Sequence, residues 1–262
     1  MAERAALITG GSSGIGFAIA RLLGAELGYA LTVNGRRPDK LEAAVQQLRD
    51  EGVAEIQAAP GNMAKEEEIQ AVVARHRDAY GRMDVLINNA GVGIGAAIAD
   101  AETKKLDMQI DVNLRGVYLI LRESIPLLKE AGHEHKKALV VNTASIAGKY
   151  GQGWLSMYSA TKFAVVGLSQ TAAIELAPEG ITVNAVCPGT AETDMVAAER
   201  ESEAALTDRS LDEVRAAYLD AIPAGRFCTP DDVGALVAYL ASPGAAYVTG
   251  QSICVNGGSV LR

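Results

Sequence analysis

The chain has 262 residues, 49% of them hydrophobic but only 5% aromatic, and 24 Lys plus Arg against 32 Asp plus Glu give a net charge of −8. That acidic balance excludes an extended nucleic-acid surface, although it is compatible with a local basic pocket for a phosphate. No stretch reaches the ~18 apolar residues of a membrane span, and Met1-Ala2-Glu3-Arg4 leads straight into Ala5-Ala6-Leu7-Ile8 without a signal-peptide pattern.

Apolar runs alternate with amphipathic stretches from end to end. Residues 5–9 are predicted as a short buried strand, and residues 15–27 carry helical spacing through Ile15, Ile19, Leu22, Leu23 and Leu27. A strand over 30–34 precedes a helix over 38–50, whose Pro38 suits a first turn because its missing N–H costs nothing there. A strand over 53–58, a helix over 65–80 and a strand over 84–88 follow. A long helix is expected from near Leu106 to Lys129, with Pro126 kinking it or marking its last turn. Next come a strand over 139–142, a helix over 157–176 closed by Pro178 and Gly180, and a strand over 181–186. Residues 194–219 read as two short polar helices, 230–240 as a further helix and 252–255 as the last strand.

No linker, charge block or repeat interrupts this order, so the expectation is one domain over residues 1–262. Its fold class is α/β: a doubly wound parallel sheet of about seven strands with helices on both faces, of Rossmann type. A core rich in Ala, Val, Leu and Ile suits parallel strands covered by helices. In such sheets ligands bind beyond the carboxyl ends of the strands. The glycine segment, Asn88, Ser145 and Pro188-Gly189 all follow strand ends and should share one rim.

The segment Thr9-Gly10-Gly11-Ser12-Ser13-Gly14-Ile15-Gly16 joins the first strand to the first helix. Glycines there permit a tight turn and close approach to a pyrophosphate, and the helix start adds unpaired N–H groups. Ser12 and Ser13 add hydroxyl donors. The spacing differs from G-x-G-x-x-G. An NAD site usually places an acid at the end of the second strand, but this chain has Asn34-Gly35-Arg36-Arg37. Arg36 or Arg37 can make charge-assisted bonds to a 2′-phosphate, which favours NADP(H) and leaves NAD(H) possible.

Tyr158 and Lys162 stand one helical turn apart, thirteen residues after Ser145. An ammonium beside a phenol favours the phenolate, and a serine can position a carbonyl oxygen, so the set suits proton transfer in carbonyl–alcohol chemistry. Each residue also has an ordinary use: Ser145 as a turn cap, Lys162 as a solvated charge, Asn113 as a buried amide satisfying backbone.

Through these motifs the chain resembles the compact one-domain branch of the short-chain dehydrogenase/reductase family from Thr9 to Gly258. The resemblance rests on T-G-x-x-x-G-I-G, Asn88-Asn89-Ala90-Gly91, Asn113, Ser145, Tyr158 with Lys162, Pro188-Gly189 with Thr193, and Asn256-Gly257-Gly258. Residues 180–258 look nearest to polyketide and acyl-carrier ketoreductases and to acetoin/butanediol dehydrogenases. The resemblance implies Asn113, Ser145, Tyr158 and Lys162 as the catalytic set, with Asn113 holding a water that links Lys162 to solvent. It implies adenosine-side contacts at Asn88, Asn89, Ala90 and Gly91, and nicotinamide contacts at Pro188, Gly189, Thr190 and Thr193, beside Tyr158 and Lys162. Where the family usually has an Asp near adenine, this chain has Gly61-Asn62-Met63, so Asn62 and Met63 are the expected contacts there.

The favoured expectation is NADPH-dependent reduction of a 3-oxoacyl, polyketide-like or related ketone. The rivals are an NAD(H)-dependent dehydrogenase of small secondary alcohols or diols, and a catalytically silent nucleotide-binding scaffold. Gly93, Ile94, Gly148, Tyr150, Gln152, Trp154 and Leu155 are placed near the substrate, and residues 192–220 are expected to form a lid over it. Cys187, Cys228 and Cys254 are scattered and odd in number, which points to free thiols in a reducing, cytoplasmic setting. His133 and His135 lie in an apparent solvated loop beside Lys136 and Lys137, and no metal is assigned to them. Partners are expected to be a small carbonyl or alcohol substrate and, by family resemblance, further copies of the chain in a tetramer or dimer, with no nucleic acid and no membrane.

Overall fold

A computed structural model describes residues 3–135 and 137–261. Met1 and Ala2 of the N-terminal reading, and Lys136 of the histidine segment, lie outside the described residues. Seven strands, β1 (Ala5–Ile8), β2 (Ala30–Gly35), β3 (Ile56–Pro60), β4 (Val85–Asn88), β5 (Ala138–Thr143), β6 (Ile181–Pro188) and β7 (Ser252–Val255), form one sheet in the order β3-β2-β1-β4-β5-β6-β7. Every pairing is parallel.

Successive side chains of a strand point to opposite faces, and both faces here are apolar. In β1, Ala6 and Ile8 join a core layer with Ile19, Leu41, Val45, Val233 and Val237, whereas Leu7 enters the opposite layer with Ile69, Val72, Ile120 and Leu128. The helices α1 (Gly14–Arg21), α2 (Pro38–Asp50) and α9 (Pro230–Ala241) therefore cover one face. The other is covered by α3 (Glu66–Tyr80), α5 (Gly116–His135) and α6 (Ser156–Leu176). Two further helices, α7 (Asp194–Thr207) and α8 (Leu211–Asp220), follow β6 and match the two polar helices expected there.

Three boundaries differ from the sequence reading. β3 begins at Ile56 rather than residue 53, because Val53 is buried beside Gly24 and pairing with β2 starts at Leu31↔Ile56. The long helix starts earlier, as α4 (Thr103–Ile110), and passes through a π turn at Asp111–Arg115 into α5. Pro126 lies inside α5 and does not end it, so His133 and His135 occupy its last turn rather than a loop. His133 Nε2 meets Glu179 Oε2 at 2.7 Å and Lys129 Nζ donates to Glu179 Oε1 at 2.6 Å, which holds this helix end in place.

The centre of the sheet carries a buried polar chain. Asn88 Nδ2 donates to Asn142 Oδ1 at 2.8 Å, Asn142 Nδ2 donates to Ser169 Oγ at 2.9 Å, and Ser169 Oγ donates to the Val165 carbonyl at 2.7 Å. This links β4, β5 and α6 just below the rim. Among the described residues, no helix is long and apolar enough to cross a membrane.

Candidate active site

The turn from β1 into α1 brings Gly10, Ser12, Ser13, Gly14 and Ile15 to the wall of a cleft of about 720 Å³. Gly10 has φ +63°, and a Cβ there would stand 2.8 Å from Ala90 Cα, so the position admits only glycine without strain. Gly16 does not line the cleft. It shapes the turn from behind, since a Cβ would collide with the Gly10 carbonyl. Ser13 precedes α1 in extended backbone and its hydroxyl makes no cap bond, leaving the helix start open to an anion. Thr9 Oγ1 accepts from the backbone N–H of Asn89 and of Ala90, both at 3.0 Å, and Asn89 Nδ2 donates to the Gly10 carbonyl at 3.0 Å. These bonds lock the ends of β1 and β4 together.

Pro188, Gly189, Thr190 and Thr193 form the facing wall, with Asn89, Ala90 and Gly91 between. Thr193 caps α7 by accepting from the Val196 N–H at 3.3 Å. A Cβ on Gly14 would lie 3.2 Å from Thr193 Cγ2, so the two walls nearly touch there. Arg36 and Arg37 are not on this lining. Both are exposed just beyond β2, and neither guanidinium has a partner among the described residues. Asn62 and Met63 are also outside it. The Asn62 Oδ1 accepts from the Ala64 N–H at 3.1 Å, and the Met63 side chain is committed to the core layer beneath α3 and α5.

Ser145, Tyr158 and Lys162 meet at the deep end of the same cleft. Ser145 is the last extended residue before a short helical turn, and its Oγ accepts from the Ala147 N–H at 3.1 Å. The capping use and the site use thus coexist, because the hydroxyl proton stays free to be donated. The Ser145 hydroxyl is close enough to the Tyr158 phenol to oppose the rise of its pKa. Lys162 Nζ donates to the Thr143 carbonyl at 2.7 Å and stands 5.5 Å from the centre of the Tyr158 ring. Asn113, in the π turn, lies behind the lining. Its Nδ2 donates to the Val92 carbonyl and its Oδ1 accepts from the Val92 N–H, both at 2.8 Å, and Nδ2 also reaches Thr161 Oγ1 at 3.2 Å. The amide therefore satisfies backbone, and by doing so it fixes the loop after β4.

The electrostatics depart from the sequence expectation. Burial, then the nearby Glu199 carboxylate, push the Tyr158 phenol well above its ordinary value, against a smaller opposing effect of the Ser145 hydroxyl. Burial also pushes the Lys162 amine down, to about 8, which leaves it largely an ammonium at neutral pH. At neutral pH the phenol is a protonated acid. Glu199 on α7 lines the cleft and is pushed up to about 7 by burial, with Lys162 and Arg200 opposing.

The sequence pattern of the short chain dehydrogenase family matches residues 4–204. The chain belongs to that family. This short-chain dehydrogenase is 40% identical over 257 residues to a Streptomyces virginiae protein named as a ketoacyl reductase of the monensin polyketide synthase, covering 98% of this chain and 97% of the other. A variant of actinorhodin polyketide ketoreductase solved with NADPH superposes with a TM-score of 0.91 at 39% identity, covering 98% of this chain and 97% of that one. A 3-ketoacyl-(acyl-carrier-protein) reductase from Brucella melitensis, complexed with NADH, gives 0.86 at 32% identity over 99% of both chains.

Its class is therefore NAD(P)-dependent oxidoreductase. The observed cradle fits such a dinucleotide: a positive-φ glycine turn, an uncapped helix start and a second glycine-bearing wall enclose one cleft. Of the residues expected near substrate, Gln152 and Leu155 line this cleft, and Tyr150 Oη accepts from Gln152 Nε2 at 3.1 Å. Gly148 instead packs against the Lys162 backbone. Trp154, with φ +65°, is 41% exposed and lies outside the cleft lining. Two contributors went unnoticed in the sequence. Thr143 acts through its backbone carbonyl, which no side-chain pattern reveals. Glu199 is one acid among many on α7 and α8.

Proposed function

We propose that this short-chain dehydrogenase reduces a ketone to a secondary alcohol with NADPH, acting on a 3-oxoacyl, polyketide-like or related carbonyl compound. The observation that carries the reading is the meeting of the Ser145 and Tyr158 hydroxyls beside Lys162 in the cleft that also holds the glycine cradle. Names of the relatives support the substrate class.

When bound, the nicotinamide supplies a hydride to the carbonyl carbon. The chain's own residues do the rest. Ser145 donates its free hydroxyl proton in a hydrogen bond to the ketone oxygen and fixes its position. Tyr158 delivers its phenolic proton to that oxygen as negative charge develops. Lys162, held by the Thr143 carbonyl, places a positive charge beside the phenolate that results. Asn113 is a positioning residue, holding Val92 and hence the loop that roofs the amine. Any water link from Lys162 to solvent falls to its backbone, since its side chain is engaged.

Gly10, Ser12, Ser13, Gly14 and Ile15 would hold the pyrophosphate side, Asn89, Ala90 and Gly91 the middle, and Pro188, Gly189, Thr190 and Thr193 the nicotinamide. Gly16 would act by shaping the turn. Arg36 and Arg37, at the end of β2, would reach a 2′-phosphate, with Asn62 and Met63 beside the adenine. Residues 192–220 would close over the substrate as a lid on a single domain. Assembly into a tetramer or dimer fits Phe163 and Ile174, which sit exposed on α6, and Tyr118 on α5. A reducing, cytoplasmic setting fits three cysteines that form no disulfide among the described residues.

Screening ketones by loss of NADPH absorbance tests the reading. Tyr158→Phe should lower turnover by roughly 10²–10⁴-fold while NADPH still binds. Equal rates for variant and parent would refute it. A second reading, an NAD(H)-dependent dehydrogenase of small alcohols or diols, draws on the absence of Arg36 and Arg37 from the cleft lining and on the NADH of the Brucella relative. Initial rates with both cofactors separate the two.

A further inference from the structure

We propose that Glu199 is a specificity-determining residue: its carboxylate recognises a hydrogen-bond-donating group, hydroxyl or ammonium, beside the ketone and turns away substrates that carry a carboxylate there. This rests on the ketone-reducing reading and narrows it within the related carbonyl compounds to ketones whose neighbouring carbon carries such a donor, which a plain 3-oxoacyl chain lacks.

Glu199 reaches from α7 across the cleft to the loop that follows β4. A Cβ added to Gly93 would collide with Glu199 Oε1, so the carboxylate lies directly against that residue. Two residues earlier in the loop, a Cβ on Gly91 would lie 3.6 Å from Lys162 Nζ. The acid therefore stands over the mouth of the catalytic end, in a wall shared with Gln152, Leu155, Tyr158 and Tyr218. Its charge reaches Tyr158, Lys162 and Tyr218.

The carboxylate accepts no hydrogen bond and forms no ion pair among the described residues. Lys162 Nζ donates to Thr143, and the Arg200 guanidinium lies over the Phe227 ring at 4.8 Å with its Nε unpartnered among the described residues, so neither cation bonds the acid. Glu203, one helical turn further along α7, shows the contrast: it accepts from Tyr218 Oη at 2.6 Å and pairs with Arg209. Glu203 is a structural acid, whereas Glu199 is held in a cleft without a donor. A partly buried carboxylate in that position is costly unless a donor arrives. Glu199 lines the same cleft as Ser145, Tyr158 and Lys162, so a ketone held at Tyr158 brings its neighbouring substituent into the space that the acid borders, and the substrate supplies the donor. Above about pH 7, where Glu199 is mostly ionised, a substrate carboxylate in the same place would meet like charge at short range.

The test compares parent and Glu199→Gln on hydroxyacetone, aminoacetone, butanone and acetoacetate, which place a hydroxyl, an ammonium, a methyl and a carboxylate on the carbon beside the ketone. The expected result is a fall of about tenfold or more in the kcat/KM ratio of hydroxyacetone or aminoacetone to butanone, and a rise of similar size in the ratio of acetoacetate to butanone. A larger change for aminoacetone assigns an ammonium, and a larger change for hydroxyacetone a hydroxyl. Calorimetry on the NADPH-loaded protein with butylammonium, butanol and butyrate reads the same preference without turnover. There the parent should favour the cation or alcohol over the anion, and Glu199→Gln should erase the preference. Ratios unchanged within twofold in both measurements overturn the proposal. If no ketone is reduced but the calorimetric preference depends on Glu199, the ketone-reducing reading fails and the recognition role stands.

Discussion

Lys162 Nζ donates to the carbonyl of Thr143 at 2.7 Å, so the buried amine of α6 is pinned to the final residue of β5. Burial pushes that amine down to about 8, so it is an ammonium below that pH and increasingly neutral above it. If the charge supports the Tyr158 phenolate as it forms, kcat/KM for reduction holds steady on the acid side of about pH 8 and declines on the alkaline side. Lys162→Met should lower kcat/KM by roughly 10²–10⁴-fold. A pH–rate profile of the parent, flat through this range, would separate Lys162 from the chemistry.

Arg36 and Arg37 follow the end of β2 directly, and neither guanidinium is tied to another side chain among the described residues. Arg36→Ala should raise the dissociation constant of NADPH by about tenfold or more and that of NADH by less than about threefold. Fluorescence titration of both cofactors measures this. Equal losses for the two would mean that the arginine acts on something other than the 2′-phosphate.

A lid over residues 192–220 should become harder to cut once a cofactor is in place. Arg200, Arg209 and Arg215 give trypsin three sites on α7, α8 and the link between them. Slower cleavage at these sites with NADPH than without it, read by mass spectrometry, is the expected outcome. Equal cleavage rates would argue against a cofactor-linked lid.

His76 is fully buried on α3, with Nδ1 at 2.8 Å from Thr32 Oγ1 and Nε2 at 2.9 Å from the Arg82 carbonyl. Burial pushes it down to about 4 from its ordinary 6.5. The unfolded chain therefore takes up this proton at a higher pH than the folded chain does. The stability contribution is complete above about pH 6.5 and is lost as pH falls towards and through 4, a change on the order of 3 kcal/mol. Urea unfolding across this range should show the slope, and His76→Gln should remove its share of it.

Much of this architecture was legible because both sheet faces are apolar. Runs such as Ala5-Ala6-Leu7-Ile8 can only be buried strands, and the helices between them carry regular spacing. Boundaries were less legible where tertiary contacts decide them. Val53 looks like strand but is claimed by packing at Gly24, and Pro126 looks like a stop but sits within α5. The glycine segment, Ser145, Tyr158 and Lys162 were legible through types and spacing. The sign of the Tyr158 shift was not, because it depends on burial and on an acid forty-one residues further along the chain. Glu199 itself could not be told from Glu192, Glu201 or Glu203 without knowing which face of α7 turns inward.

The buried chain from Asn88 through Asn142 to Ser169 has a consequence for how the protein can vary. Each member is the donor or acceptor its neighbour needs, so replacing one by an apolar residue strands the next away from water. Substitutions at these three sites should be tolerated as matched sets and rejected singly. In a library randomised at all three, survivors should show strong pairwise dependence between the first and second positions and between the second and third.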